Sequence, residues 1–239
     1  MAITFLDAAC GTGASAIPAA EAVSPNGTVV AVDLADKPLE LARLKAVERH
    51  LTNIRFEVGD MMELSHPPAK FDAVICVFGI FFVPDMISAA NELWRMVTPG
   101  GKLAVTTWGA NLFEPGNTAF WNSIKAVRPD LERAFNPWDR ISDPDALRQM
   151  LADAGINNIE IAVENRLHPI HEPNDWWTIV CGSGYRGTIE QLTSAEYKSV
   201  CQTNLSYVRE NKVRAVETNA LYAVATKRPS QTDAIQIAI

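Results

Sequence analysis

The sequence predicts an α/β fold with a mostly parallel sheet, on three observations. Over residues 3–108, five short apolar runs alternate with segments of helical periodicity, the pattern of strands joined by right-handed crossovers. The runs are continuous, as in Val29-Val30-Ala31-Val32, which fits strands buried on both faces. The first run leads straight into Gly11-Thr12-Gly13 and an Ala-rich segment: a strand, a tight turn and the start of a helix.

The elements follow in order. Ile3, Phe5 and Leu6 form the first strand, which ends in Asp7. Ala14 to Val23 is a helix closed by Ser24-Pro25-Asn26-Gly27, and Pro18 lies near its first turn, where a missing N–H is tolerated. Thr28 to Val32 is the second strand and ends at Asp33. From Pro38 to His50, Leu39, Leu41, Ala42, Leu44, Ala46 and Val47 give a helix its apolar face. Ile54 to Val58 is the third strand, followed by Gly59-Asp60-Met61-Met62, and Asp72 to Val77 is the fourth. Met86 to Val97 reads as a helix, Thr98-Pro99-Gly100-Gly101 as its stop, and Lys102 to Trp108 as the fifth strand.

After Trp108 the alternation breaks. Phe120, Trp121, Ile124 and Val127 share one face of a helix over Thr118 to Val127. Asp143-Pro144-Asp145 opens a helix to Ala154, with its acids at the positive end of the helix dipole. Gly155 ends it, and Ile159 to Val163 is the sixth strand. Residues 168–211 read as irregular and helical, with a polar helix from Ser194, and Thr218 to Thr226 as the last strand. The tail from Pro229 to Ile239 has no periodicity and is expected to fray.

Composition narrows the function. A chain of 239 residues suits one large α/β domain. A net charge of −7 without a basic block argues against nucleic acid and anionic membranes, leaving small molecules as partners. No 18-residue apolar run is present, so no membrane span is predicted, and Met1 to Asp7 lacks the charged start of a secretory leader. Cys10, Cys76, Cys181 and Cys201 are scattered, which predicts free thiols in the reducing cytoplasm.

In an open α/β sheet, ligands lie beyond the carboxyl ends of the strands, so the Gly11–Gly13 turn is the leading candidate for a cofactor site. Gly11-Thr-Gly13-Ala-Ser-Ala16, with Asp33 downstream, also fits the loose dinucleotide fingerprint. Asp7 argues against that reading, because a carboxylate at the strand end repels a pyrophosphate. It suits a ligand with an ammonium, a sulfonium and no phosphate, which describes S-adenosylmethionine.

Asp7-x-Ala9-Cys10-Gly11-Thr-Gly13 resembles motif I of the class I S-adenosylmethionine-dependent methyltransferases, of the small-molecule branch that includes the ubiquinone/menaquinone C-methyltransferases. The resemblance continues through Val29 to Asp33, Gly59-Asp60, Phe71-Asp72-Ala-Val and Thr98 to Gly101, in the family's order and spacing. It implies a Rossmann-like, seven-stranded sheet whose last strand is antiparallel and pairs with the sixth, under a helical and aromatic substrate cap. In that reading 1–239 is one methyltransferase domain: 1–108 hold the cofactor, 109–142 and 168–212 supply the cap, and 229–239 are a tail. Family members carry one or two helices ahead of the first strand, over the methionine end of the cofactor. Here the sequence starts two residues before that strand, so either the N-terminus is truncated or another segment or a partner subunit closes the pocket, and weakened cofactor affinity is expected.

The site residues each have two readings. Asp7, Ala9, Gly11 and Gly13 form either the cofactor turn or an ordinary strand–helix turn. Asp33 accepts from the ribose hydroxyls or is a solvated loop acid, and Leu34 packs on the adenine or in the core. The resemblance makes Asp60 the acceptor for the adenine amino group and Met61 its apolar neighbour; otherwise Asp60 is a turn residue. Phe78 lines the pocket or fills core. Trp108 points by position toward the substrate, while Trp176, Trp177 and Tyr185 form an aromatic lid or merely pack their segment. His168 is the candidate general base, and with His171 it lacks the partners of a metal site. Cys10 has a pKa lowered by the helix N-terminus, or is a small residue that fits. An NAD(P)-dependent oxidoreductase and a non-catalytic binding protein are the alternatives to a methyltransferase.

Overall fold

The β-branched run at Thr28–Asp33 becomes an interior strand of a seven-stranded sheet in the computed structural model, which describes residues 2–133 and 136–229. In chain order the elements are β1 (Thr4–Ala8), α1 (Ala16–Val23), β2 (Thr28–Asp33), α2 (Asp36–Glu48), β3 (Ile54–Val58), β4 (Phe71–Val77), α3 (Met86–Met96) and β5 (Val97–Trp108). There follow α4 (Gly116–Val127), α5 (Pro144–Asp153), β6 (Ile159–Glu164), β7 (Leu167–Pro169), α6 (Pro173–Gly182), α7 (Arg186–Ile189), α8 (Ser194–Glu210), β8 (Ala215–Glu217) and β9 (Ala220–Thr226). The expected tail lies, from residue 230 on, outside the described residues.

The chain divides into two compact units. The first, made of the chain up to Thr107, Arg140–Val163 and the stretch from Leu221, carries the sheet in the order β3-β2-β1-β4-β5-β9-β6. The pairs β1–β2, β1–β4, β2–β3 and β4–β5 are parallel, with Asp7 opposite Ala31 and Asp33 opposite Val58. The carboxyl ends of β1, β2 and β3 therefore share one edge. β9 runs against β5: Gly100 N–H donates to Lys227 O at one end (2.7 Å) and Gly109 N–H to Asn219 O at the other (2.7 Å). Beside β6 and antiparallel to β5, β9 is placed as the family pattern implies. Cys10, Ala16, Ala20, Val29, Ala31 and Leu39 form a core between β1, β2 and the helices α1 and α2.

Thr98 to Gly101 corrects the sequence reading. The segment does not separate helix from strand: α3 stops at Met96, and β5 starts at once with Val97. Gly100, at φ +84°, and a register shift opposite Phe71 and Ala73 absorb the turn inside the strand. A Cβ on Gly101 would stand 2.7 Å from the Asp72 carbonyl oxygen, so that position also needs glycine. Lys227 Nζ donates to the carbonyls of Trp94 (2.8 Å) and Val97 (2.9 Å), taking up orphan acceptors at the helix end.

The second unit, Trp108–Asp139 with Glu164–Ala220, has its own core of Phe120, Ile124, Trp176, Val180, Tyr185 and Val200, among others. Residues 168–211, read from the sequence as irregular and helical, hold three helices; the polar helix expected from Ser194 is α8, and α6 and α7 precede it. Two start in capping boxes, Glu172 with Asp175 and Thr193 with Glu196. Leu167–Pro169 and Ala215–Glu217 add an antiparallel pair, β7 with β8, that the sequence reading did not contain.

Candidate functional site

Strand exits build the site. As β2 leaves the sheet, Asp33 accepts from Gly11 N–H through Oδ2 (2.7 Å) and from Ala35 N–H through Oδ1 (2.9 Å). The first bond ties the Gly11–Gly13 turn to β2; the second bends the chain so that Leu34 stands outward, 73 % exposed. Asp33 is thus a structural acid as well as a candidate ligand, and Leu34 is not a core residue.

A cavity of about 170 Å³ opens at this edge. Ala9 lines it from the exit of β1, Asp33 and Leu34 from β2, Gly59, Asp60 and Met61 from β3, and Gly79, Phe82 and Val83 from the turn after β4. Five of the expected cofactor residues, Ala9, Asp33, Leu34, Asp60 and Met61, therefore meet here. Asp60 also serves its turn, accepting from Met62 N–H (2.8 Å). Among the described residues, the lining holds two carboxylates and no cation.

Asp7, Gly11, Gly13 and Phe78 do not line that cavity. Asp7 is fully buried, which corrects the expectation of an acid open to ligand. Its Oδ2 accepts from Ser15 Oγ (2.5 Å), while Oδ1 is buried with no hydrogen-bond partner. Burial raises its pKa from 3.8 to about 7, against the Ser15 bond and with a further push from Asp33. Gly11 and Gly13 take positive φ, +52° and +80°, and their N–H groups are already bonded, to Asp33 and to the Cys10 carbonyl (2.9 Å). Cys10 is buried too; burial and the charge of Asp7 push its thiol up, overturning the lowered pKa expected at a helix N-terminus. Phe78 is half-buried at φ +52°, with its N–H bonded to Thr106 O (2.9 Å).

Sequence reasoning missed Gly79, Phe82 and Val83. A Cβ on Gly79 would come within 2.5 Å of Ala9 Cβ, so the turn after β4 rests directly on the exit of β1. In the sequence Ile80-Phe81-Phe82-Val83 is one apolar run, and nothing in it separates buried from exposed rings.

The expected substrate residues lie in the second unit. Trp176 is fully buried, with Nε1 donating to Asn204 Oδ1 (3.0 Å), and Gly116 abuts its ring. Trp177 Nε1 donates to the Tyr197 hydroxyl (2.9 Å), and Tyr185 Oη to Asn117 Oδ1 (2.7 Å). These three side chains are the core of their unit, so packing describes them and an exposed lid does not. Trp108 is half-buried, its ring 6.1 Å from that of Phe113. His168 is exposed on β7. Among the described residues, no group of His, Cys, Asp or Glu converges as a metal site, and no helix is long and apolar enough to cross a membrane.

A family profile described as a methyltransferase domain matches residues 5–101. The demethylmenaquinone methyltransferase of a Geobacillus strain is 30% identical over 167 residues, 65% of this chain and 71% of that one. The enzyme of the same name from Deinococcus radiodurans is 44% identical over 100 residues, 42% of this chain and 41% of that one. Among solved structures, the YcgJ protein of Bacillus subtilis superposes with a TM-score of 0.62 at 18% identity, covering 96% of this chain and 93% of its own. A putative methyltransferase from Bacillus halodurans gives 0.59 at 18% identity, covering 95% and 94%.

Proposed function

The chain belongs to the class I S-adenosylmethionine-dependent methyltransferases related to the demethylmenaquinone methyltransferases, and from that membership we propose which residues hold the cofactor and what accepts the methyl. S-adenosylmethionine, when bound, supplies a methyl group already activated on a sulfonium. Asp33 would accept from the ribose hydroxyls and Asp60 from the adenine amino group, with Leu34 and Met61 as apolar neighbours of the ring. The observation that carries this reading is the pair of carboxylates in a cavity without a cation, beside a turn whose Gly11 and Gly13 amides are spent on the chain itself. A diphosphate would meet two negative charges there and lose two donors. Asp7, buried behind the turn with Oδ1 unpaired and its pKa raised to about 7, is an acid whose ionisation a cationic ligand would favour.

The acceptor is a small, partly apolar molecule, a reading supported by the acidic chain and by the relatives named for demethylmenaquinone. The chain aligns the acceptor for in-line attack on the methyl carbon, and proximity and orientation supply much of the acceleration. A base is needed only where the acceptor must first lose a proton, and His168 is the candidate. We assign acceptor recognition to the second unit, which falls outside the matched residues 5–101. Four free thiols support a reducing, cytoplasmic compartment.

The test incubates the purified chain with S-adenosylmethionine and either demethylmenaquinone or a small-molecule extract, read by mass spectrometry. The expected result is a product heavier by one methylene unit, with S-adenosylhomocysteine formed in equal amount and both lost in Asp33→Ala. An absorbance change with NADH and no methylated product would replace this reading with the oxidoreductase.

A further inference from the structure

We infer that the second unit carries a binding site of its own, for a small organic anion with an apolar body, in the cavity where α6, α7 and α8 meet. The inference does not depend on the methyltransferase reading, because every group it uses belongs to the second unit and the ligand is not the cofactor.

The cavity holds about 760 Å³, within the range of small-molecule pockets and several times the one at the strand exits. Its apolar walls are Cys181 at the end of α6, Ile189 in α7, Leu192 in the turn after it, and the ring of Tyr197 in α8. Ile189 is buried and the other three are half-buried, all packed in or on the core of the unit. The walls are thus set before any ligand arrives. Trp177, itself buried, meets the Tyr197 ring edge to face at 5.5 Å between centroids and donates from Nε1 to its hydroxyl (2.9 Å). With that lone pair filled, the hydroxyl's own proton faces only the Cys181 Sγ at 3.8 Å, a weak acceptor. A ligand oxygen is the better partner.

Among the described residues, the lining carries two cations and one carboxylate. Arg186 and Glu190 neutralise each other in a 2.7 Å ion pair. Lys198, next to Tyr197 in α8, has no ion pair and no side-chain hydrogen bond among the described residues. The cavity therefore keeps a positive charge on a chain whose net charge is −7. An ammonium and a phenolic O–H are both donors, and beside apolar walls they suit a carboxylate on a hydrocarbon or aryl body. Lys198 repels a cation, and a wholly apolar guest leaves the Tyr197 proton without a partner.

The experiment titrates octanoate, octan-1-ol and octylammonium into the full chain by calorimetry, without S-adenosylmethionine, and repeats this for Lys198→Gln, Lys198→Arg and Tyr197→Phe. Octanoate is expected to bind at one site about tenfold more tightly than octan-1-ol, with octylammonium the weakest. Lys198→Gln is expected to weaken octanoate about fivefold and leave octan-1-ol unchanged, while Lys198→Arg stays within about twofold of the parent. Tyr197→Phe is expected to weaken octanoate by about fivefold as well. Because Lys198 is exposed, its variants are expected to melt as the parent does, so their binding decides even where Tyr197→Phe, which strands the Trp177 N–H, loses stability. Octanoate that fails to saturate, or that binds no better than octan-1-ol, overturns the site. So does octanoate binding that Lys198→Gln leaves unchanged, since the anion then sits elsewhere. Neither result touches the cofactor reading.

Discussion

Asp7 is a carboxylic acid held where its charged form is disfavoured. Burial and the charge of Asp33 favour the protonated acid and outweigh the opposing bond from Ser15, one oxygen has no donor, and Cys10 and Cys76 nearby offer no positive charge. The folded chain keeps this proton at pH values where the unfolded chain has lost it. The stability Asp7 contributes is therefore full below 3.8 and is lost as pH rises through about 7. The gap between those values corresponds to about 4 kcal/mol at most. Asp7→Asn, the same shape without the charge, is expected to be the more stable protein at about pH 8 and equal to the parent at about pH 5 in urea melts. A parent that matches the variant at both pH values would show that Asp7 ionises freely. Since a cationic cofactor favours the ionised form, the variant is also expected to bind S-adenosylmethionine more weakly, mainly at the higher pH.

Residue identity alone made Asp7, Asp33 and Asp60 legible, because carboxylates at strand exits are unusual enough to be noticed. It could not separate the acid that lines the cavity from the acid buried behind the turn. That difference depends on Ser15 and on β4, neighbours that only the folded chain supplies.

At the scale of elements, the sequence was clearest where local chemistry acts alone. Five alternating strands and helices were readable because each is a long apolar or periodic run. The three-residue strands β7 and β8 are too short for any period and exist only through each other. α6 was hidden by its Trp pair, yet Glu172-Pro173-Asn174-Asp175 carries a start signal: proline in the first turn and reciprocal acids. α8 has the plainer form of the same device, Thr193 Oγ1 accepting from Glu196 N–H (3.3 Å) and Glu196 Oε2 from Thr193 N–H (2.7 Å). Thr193→Ala is expected to cost about 1 kcal/mol in chemical denaturation. A change too small to resolve would mean that packing against α4 and α6, rather than the cap, sets where α8 begins.

For the whole molecule, the division into two units makes a separable prediction. Asn204 is fully buried in the second unit, accepts from Trp176 Nε1, and donates to Ser123 Oγ (2.8 Å) and Val200 O (2.9 Å). Asn204→Ala strands a buried indole N–H, and the expected loss is about 2 kcal/mol. Hydrogen exchange should report that loss in α4, α6 and α8. The described residues lining the cavity proposed for the cofactor all belong to the first unit, so the affinity for S-adenosylhomocysteine is expected to stay within a factor of two. A large drop in affinity with the exchange pattern unchanged would contradict this division of labour.

The position of β9 has a consequence for biosynthesis. The strand that joins β5 to β6 is drawn from residues 220–226, so more than two hundred residues must leave the ribosome before the sheet can be finished. Until then β5 and β6 each present a bare hydrogen-bonding edge to solvent, and such edges invite pairing with other chains. A newborn chain stalled short of Ala220 is therefore a natural client for chaperones, however well its first hundred residues have folded.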